Sequence, residues 1–199
     1  MQYFSKIAPG DVIAFSGNGL DSRIIRWFTR SPYSHVVIVL DTESQNQQYE
    51  DILIAESTTY TIVPDFKQQK CLKGVQVHWL SHWLEQYKTY GRAWWFPLQH
   101  KLSPNKVTQM QSWLWDLYHS HTPFSCPKSV GAWLAKNKYF DVETKKQFSK
   151  KSAGLFCSEL VSEALQIAGI IDSNLNPATQ TPKDLMNLEC FQEPTLILP

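Results

Sequence analysis

Two widely separated residues of this chain, a cysteine and a histidine, have local surroundings suited to nucleophilic catalysis. Cys157 lies in the run GLFCSEL at 154–160, at the start of an apolar-striped helix. A thiol at a helix N-terminus is favoured as the thiolate by the positive end of the helix dipole. His35 opens the apolar run VVIVL, so it stands at the end of a predicted strand. A thiol beside an imidazole forms a nucleophile–base pair, and the sequence therefore indicates a candidate enzyme.

A third residue is placed beside His35 by the arithmetic of a hairpin. The apolar runs 35–40 and 51–55 are predicted as paired strands, joined by the polar segment 41–50. In the simplest register Leu40 faces Asp51, Val36 faces Ala55 and His35 faces Glu56. Directly opposed residues have Cβ atoms about 4.5–5.5 Å apart. We therefore predict that Glu56 is the neighbour of His35, although a bulge or a one-residue slip would change this pairing.

The remaining patterns predict an α+β domain. Further strands are expected at 11–15, 61–63, 75–78 and 195–198, where short apolar runs lie between turn residues. A short helix is predicted over 24–28, with Asp21 or Ser22 as its N-cap, and a helical patch over 129–138. Ser103-Pro104 and Thr181-Pro182 each predict the start of a helix. The Cys157 helix carries an apolar stripe at i, i+3, i+4 and i+7, and Gly169 is expected to end it.

Composition narrows the possible classes of function. Hydrophobic residues make up 43% of the 199 residues and charged residues 19%, which is typical of a globular domain. The net charge is +1, and the sequence contains no long block of charged residues of one sign, so nucleic acid is not an expected partner. The N-terminus lacks a signal-peptide pattern, and no apolar run approaches the roughly 20 residues that span a bilayer. We expect a cytoplasmic protein without an integral membrane segment.

Other clusters of reactive residues give weaker signals. Cys71, Cys126 and Cys190 are widely spread and are expected to be structural thiols rather than disulfide partners. His119, His121 and Cys126 have the residue types of a zinc site but lack a fourth ligand at the usual spacing. The run GNG at 17–19 is too short for a nucleotide-binding loop. No metal and no cofactor are therefore predicted. Cys157 also has a plainer interpretation as a packing residue of the core, and His35 as a structural histidine.

Five segments together resemble a known enzyme family. They are GDVIAF at 10–15, SPYSHVVIV at 31–39, AEST at 55–58, FCSELV at 156–161 and TPKDL at 181–185. This set resembles the NlpC-type papain-like cysteine hydrolases, and its order is that of the circularly permuted, YiiX-like group. The resemblance implies a single domain over 1–199, in which an antiparallel sheet or partial barrel packs against the catalytic-cysteine helix. It also implies a family-variable helical insertion at about 91–152.

The resemblance assigns roles to individual residues. Cys157 would be the nucleophile, His35 its base, and Glu56 the residue that orients the imidazole. The backbone N–H of Cys157 would form part of an oxyanion hole, while Tyr33, through its hydroxyl, and Ser158 are candidates for oxyanion or substrate binding. The expected reaction is cleavage of an amide bond, peptide or isopeptide, through a thioester. The expected substrate is a small peptide, an amino-acid amide or an acyl compound.

Two alternatives from other classes stay open. The lecithin:retinol acyltransferase group shares the permuted layout, so a lipid acyltransferase or thioesterase is possible, although its usual membrane anchor is not found in this sequence. A catalytically idle module that binds a small ligand is the other alternative. Such a module is expected to have either a buried Cys157 or a broken contact between Cys157 and His35.

Overall fold

A single antiparallel sheet organises the part of the chain described by this computed structural model, which is residues 4–18, 30–42, 52–59, 63–70, 72–89, 91–124 and 155–199. Its strands lie in the order β4-β3-β2-β1-β5-β6, and each neighbouring pair is antiparallel. The strands are β1 (Val12–Gly17), β2 (His35–Thr42), β3 (Ile52–Thr58), β4 (Gly74–Trp79), β5 (Gly91–Phe96) and β6 (Thr195–Leu198). The predicted α+β class and antiparallel sheet are confirmed. The described sheet is open, with β4 and β6 at its edges.

Within the described ranges, four α-helices cover the sheet. They are α1 (Leu80–Tyr87), α2 (Pro104–His119), α3 (Cys157–Ile167) and α4 (Pro182–Met186), and short 3₁₀ helices occur at Phe4–Lys6 and Pro177–Thr179. On β2, Val36 and Ile38 pack into the core that includes α2, α3 and α4, whereas Val37 and Val39 pack into the core that includes α1. Because helices cover both faces, the central strand is a continuous apolar run rather than an alternating one.

The boundaries of α3 follow from its sequence. Its apolar stripe is buried at Cys157, Leu160, Val161, Ala164 and Leu165. The helix ends in a Schellman arrangement, in which the N–H of Gly169 donates to the carbonyl of Gln166 and the N–H of Ile170 to that of Leu165. Gly169 has a φ of +62°, a conformation that glycine adopts without steric cost. The predicted helix, and the glycine that ends it, are thus confirmed.

Two other predicted helix starts are also confirmed. Helix α2 begins at Pro104 after the N-cap Ser103. Helix α4 begins at Pro182, and its N-cap Thr181 forms a reciprocal capping box with Asp184. The predicted closing strand over 195–198 is β6, on which only Leu196 is prominently exposed.

Two elements were not predicted from the sequence. Helix α1 carries Leu80, Trp83, Leu84 and Tyr87 on its buried side, which is the i, i+3, i+4, i+7 pattern of an amphipathic helix. Strand β5 pairs with β1 along its whole length and with β6 on its other side. Residues 91–96 therefore belong to the central sheet, and the helical part of the region predicted as an insertion begins only at α2.

Several predictions fall on residues outside the described ranges. These are the helix over 24–28 with Asp21 or Ser22, the helical patch over 129–138, and Cys71 and Cys126. Of the predicted strand 61–63 only Val63 is described, and it lies in a bend. Among the described residues, no helix is long and apolar enough to cross a membrane.

The predicted register between β2 and β3 is wrong by two residues up to Val39 and by three residues at Asp41 and Thr42. Ala55 pairs with Ile38, not with Val36, and the ladder is interrupted by an irregularity between Val39 and Asp41. Continued by one position, this register puts Glu56 beside Val37 rather than His35. In the part of the ladder near His35 and Glu56 the shift is two residues, which leaves the side chains on their predicted faces. Glu56 therefore still lies on the same side of the sheet as His35.

The buried carboxylate of Asp11 fastens the start of β1 to the end of β5. It accepts hydrogen bonds from the backbone N–H of Ala8 at 3.0 Å, the indole N–H of Trp95 at 2.8 Å and the backbone N–H of Leu98 at 2.9 Å. All three donors are neutral, and burial raises the pKa of Asp11 even though these bonds act to lower it.

We predict that Asp11→Asn destabilises the fold by about 2–4 kcal/mol, because the new amide N–H₂ must face at least one of these donors. Chemical denaturation would measure the change in the free energy of unfolding. Asp116→Asn is the matched control, since Asp116 is exposed on α2. Equal stabilities of the two variants would contradict this account of Asp11.

Candidate active site

Cys157 and His35 meet where the start of β2 approaches the start of α3. Cys157 is the first residue of α3, and His35 is the first residue of β2. The side chain of Cys157 lies near the His35 imidazole, where its hydrogen bonding and its charge act to raise the pKa of the ring. The pair predicted from the sequence is therefore in contact, across more than half the length of the chain.

Glu56 contacts the other side of the same imidazole. A carboxylate oxygen, Oε2, is hydrogen-bonded to Nε2 of His35. Since Nε2 faces Glu56, Nδ1 is the ring nitrogen left to face the sulfur of Cys157. The predicted contact between Glu56 and His35 is confirmed, although it is diagonal across two strands rather than directly opposite. A diagonal pair on one face of a sheet is within reach of long side chains.

Glu56 is also bound by two donors that sequence reasoning missed. Its Oε1 lies 3.0 Å from Nε2 of His78 and accepts a hydrogen bond of 3.1 Å from the indole N–H of Trp83. Glu56 pairs with Gln76 on β4, so His78 is its diagonal neighbour on that side. His35, Glu56 and His78 thus form a row across β2, β3 and β4, and Trp83 of α1 covers it.

Charge and burial set the protonation of this row. Burial alone would lower the pKa of His35, but the Glu56 carboxylate and the hydrogen bonds to Cys157 and Glu56 outweigh it and raise the pKa to about 10. Burial alone would raise the pKa of Glu56, whereas His35 and His78 lower it to about 2. At neutral pH the arrangement is therefore an imidazolium of His35 beside an ionised Glu56.

Neighbouring contacts fix both ends of the Cys157–His35 pair. Before β2, the N–H of Ser34 donates to the carbonyl of Phe15 at 2.8 Å, and Phe15 pairs with His35 in the sheet. Before α3, the carbonyl of Leu155 accepts a hydrogen bond of 2.6 Å from the hydroxyl of Ser57. The Glu159 carboxylate accepts from the N-cap N–H of Phe156 at 3.0 Å, which is half of a capping box because phenylalanine has no side-chain acceptor.

The two candidates for oxyanion or substrate binding, Tyr33 and Ser158, lie in different environments. The Tyr33 ring is half-buried and packs edge-on against Trp94 at 5.4 Å and Phe96 at 5.5 Å, between ring centroids. The Ser158 hydroxyl is buried and donates to the carbonyl of Gln180 at 2.5 Å. That bond uses its only proton, so a role for Ser158 as a donor to substrate would fall to its backbone N–H. Both roles stay predictions.

Access to the pair is narrow. Cys157 is 2% exposed and His35 is 4% exposed. The His35 ring also packs against Trp83, with ring centroids 5.6 Å apart, and against Phe15, at 6.4 Å. The binding-module alternative predicts a buried Cys157, which is found, while the hydrolase prediction requires an intact contact with His35, which is also found.

The sequence contains a partial indication of His78 and Trp83, the two partners of Glu56 that were not predicted. The run VQVHW alternates as a half-buried strand does, which puts Gln76 and His78 on one face. Recognising His78 as a partner of Glu56 also required knowing that this strand, rather than another, lies beside β3. Predicting that Trp83 is buried would have required recognising the apolar stripe of helix α1.

Among the described residues, no group of three or more histidine, cysteine or acidic side chains is arranged to hold a metal ion. The set of His119, His121 and Cys126, from which no zinc site was predicted, includes Cys126, which lies outside the described ranges.

No protein-family model matches this sequence, and no match is found among curated proteins.

We predict that Cys157 reacts selectively with a thiol-directed electrophile such as iodoacetamide at pH 7, faster than Cys71, Cys126 and Cys190. Burial raises the pKa of Cys190 to about 11, which leaves that thiol protonated. His35→Ala should slow labelling of Cys157 by about 10-fold or more, because it removes the imidazolium beside the sulfur. Peptide mass mapping over time measures both rates.

The exposed His82 of α1 provides the matched control, and His82→Ala should leave the labelling rate of Cys157 unchanged. Faster labelling of Cys190 than of Cys157 would argue against Cys157 as the nucleophile. So would a labelling rate of Cys157 that is the same in wild-type and His35→Ala protein.

We also predict that the stabilising effect of Glu56 disappears in acid. Its pKa falls from 4.5 to about 2 on folding, so its contribution is present above about pH 4.5 and is lost as the pH falls through about 2. At pH 7, Glu56→Gln should cost about 3–5 kcal/mol, because it leaves buried charged partners behind.

Denaturation of wild-type and Glu56→Gln protein between pH 7 and pH 2 tests this expectation. The difference between their free energies of unfolding should shrink with acidification. Glu85→Gln is the control, since Glu85 is exposed and only loosely paired with Lys88 at 3.5 Å. A difference that is independent of pH would contradict ionisation of Glu56 in the folded protein.

Proposed function

We propose that this protein is a thiol hydrolase that cleaves amide bonds, with Cys157 as nucleophile, His35 as acid and base, and Glu56 as the residue that orients His35. The observation that supports it best is the line of interacting side chains that runs from Cys157 through His35 to Glu56. A nucleophile bonded to a base, with the base bonded to a third group, is the arrangement of catalytic triads.

The fold supports the same proposal. The histidine strand precedes the cysteine helix along the chain, and α3 packs against the sheet with its N-terminus near the start of that strand. This order is what a circularly permuted, NlpC-type papain-like domain of the YiiX-like group would have. We include that family assignment in the proposal, together with the cell-wall or other small peptides that it favours as substrates.

In the first half of the reaction, Cys157 and His35 form a thiolate–imidazolium pair. The sulfur attacks the substrate carbonyl carbon, and the C=O electrons move onto oxygen to give a tetrahedral oxyanion. Collapse of this intermediate breaks the C–N bond. The departing amine takes the Nδ1 proton of His35, which leaves a thioester on Cys157 and a neutral imidazole.

The second half returns the enzyme to its starting state. Neutral His35 accepts a proton from a water molecule as the water oxygen attacks the thioester carbonyl. The second tetrahedral intermediate expels the Cys157 thiolate and releases a carboxylic acid. Throughout, Glu56 stays bonded to Nε2 of His35, which keeps the proton-transferring nitrogen pointed at the reacting atoms.

The start of α3 supplies electrostatic stabilisation in this proposal. Backbone N–H groups in the first turn of a helix have no partners within the helix, and they carry partial positive charge. The N–H of Cys157 is one of them, because Cys157 is the first residue of α3. It is suitably placed to donate to an oxyanion that forms on the carbon bound to its own sulfur.

A catalytically idle binding module is the second candidate, and the burial of Cys157 favours it. With 2% of its surface exposed, Cys157 reaches a substrate carbonyl only if neighbouring groups move. An idle module predicts a thiol that is unreactive, whereas the hydrolase predicts a thiol that forms a covalent acyl adduct.

The test is turnover and acyl-enzyme formation with a panel of peptides, isopeptides and acyl esters. Cys157→Ala and His35→Ala should abolish turnover, since each removes a partner in bond making or proton transfer. Glu56→Gln should lower turnover by about 10- to 10⁴-fold per folded molecule, because it removes the charge that stabilises the imidazolium. Intact mass measured after acid quench should show one acyl group on Cys157.

The matched controls are Cys190→Ala, His82→Ala and Glu85→Gln, which remove the same groups away from the site. Full turnover in a folded Cys157→Ala protein would exclude the thiol mechanism. Acylation that stops at the thioester without release would indicate a transferase that requires a different acceptor.

A further inference from the structure

His78 is a buried histidine whose two ring nitrogens both face acceptors. Its Nδ1 lies 2.9 Å from the backbone carbonyl of Pro64, and its Nε2 lies 3.0 Å from Oε1 of Glu56. The residue is 1% exposed. A carbonyl oxygen can only accept, so the Nδ1 contact requires a proton on Nδ1. A neutral imidazole would then have no proton on Nε2.

The Nε2 contact can therefore be made in two ways. Either His78 is an imidazolium that donates to an ionised Glu56, or Glu56 is protonated and donates to a neutral His78. The other bonds of Glu56 favour the first, because its two oxygens also face the imidazole of His35 and the indole N–H of Trp83. A carboxylate surrounded by N–H donors on every side is stabilised in its ionised form.

The surroundings of His78 carry a second negative charge. Asp65 follows Pro64 and is completely buried, and its charge acts on His78. Its Oδ1 accepts a hydrogen bond of 2.8 Å from the hydroxyl of Tyr118 and further hydrogen bonds from the backbone N–H groups of residues 67 and 68. Its Oδ2 has no hydrogen-bond partner within the described residues. Together with Glu56, this carboxylate raises the pKa of His78 against the effect of burial.

We propose that His78 is a permanently charged positioning residue, whose imidazolium bridges Pro64 and Glu56 and so holds Glu56 ionised and in place against His35. The proposal deepens the proposed function and rests on it for its catalytic meaning. His78 touches neither Cys157 nor any reacting atom, and it acts through Glu56. Among the described residues, Glu56 is the only titratable group that is hydrogen-bonded to His78.

The charge of His78 also compensates the net charge of the three proposed catalytic side chains. A Cys157 thiolate, a His35 imidazolium and an ionised Glu56 would carry one net negative charge, and all three side chains are buried. With His78 protonated, those four side chains are neutral in sum. This matters because an uncompensated buried charge costs several kcal/mol. It also limits how strongly Glu56 holds the proton on His35, which must leave that ring during turnover.

The first experiment measures the protonation of His78 directly in the full-length wild-type protein. Nitrogen-15 NMR of labelled histidine side chains distinguishes doubly protonated rings from neutral ones. His78 should carry protons on both nitrogens throughout pH 6 to 8, with the exposed His82 as an internal reference. A neutral His78 at pH 7 would overturn the proposal whether or not the protein is a hydrolase.

The second experiment separates positioning from simple packing. His78→Gln keeps an N–H donor toward Glu56 but removes the positive charge. Loss of a buried positive charge stabilises the protonated forms of its neighbours, so the pH profile of Cys157 alkylation should move upward by about one unit. A purely structural role would change the stability of the fold without moving this profile.

His82→Gln is the matched control, and its profile should coincide with that of the wild type. An unshifted profile in folded His78→Gln protein would contradict the proposal. Because labelling needs no substrate, these outcomes differ from failure of the proposed function, which would appear as absent turnover with His78 still charged. Where a substrate is found, His78→Gln should lower kcat more than it raises KM, since Glu56 does not bind substrate.

Discussion

The arrangement of this site depends on the hydrogen bonding of one fully buried carboxylate, that of Glu56. An ionised carboxyl group in an apolar interior is tolerated only where several donors replace its lost hydration. Here those donors come from three different elements: His35 on β2, His78 on β4 and Trp83 on α1. Because all three donors bind the same carboxylate, the geometry of His35 is linked to His78 and Trp83, which lie on two other elements.

Because of the strand order, the contacts of Glu56 and His35 connect the two layers that lie on opposite faces of the sheet. Glu56 lies on β3, between β2 and β4, on the side of the sheet that α1 covers. Cys157 belongs to the core on the opposite side, where α3 packs. His35 joins the two because it is the first residue of β2, and a ring at the end of a strand can reach past the sheet. A histidine in the middle of the same strand would be confined to one face.

Much of this could be predicted from the sequence because it depends on local pattern and parity. The apolar stripe of α3, the proline-marked starts of α2 and α4, and the strand beginning at His35 are all local. The contact of Glu56 with His35 was predicted from a register that was wrong by two residues, and it survived because an even shift preserves the face. The irregularity between Val39 and Asp41 has no clear sequence signal. His78 could not be predicted, since its role depends on which strand lies beyond β3, which is a matter of tertiary pairing.

Two buried carboxylates in this chain show how a structural acid differs from one suited to chemistry. Asp11 is held by donors that cannot ionise in the ordinary range, two backbone N–H groups and an indole, and its pKa is raised by burial. Glu56 is held by two histidines, and its pKa is lowered. Well-packed apolar side chains often stabilise a core as well as a buried ion pair does, so such a pair is weak evidence of a need for stability. The titratable partners of Glu56 give the site something that Asp11 lacks, which is a proton that can move while the carboxylate stays fixed.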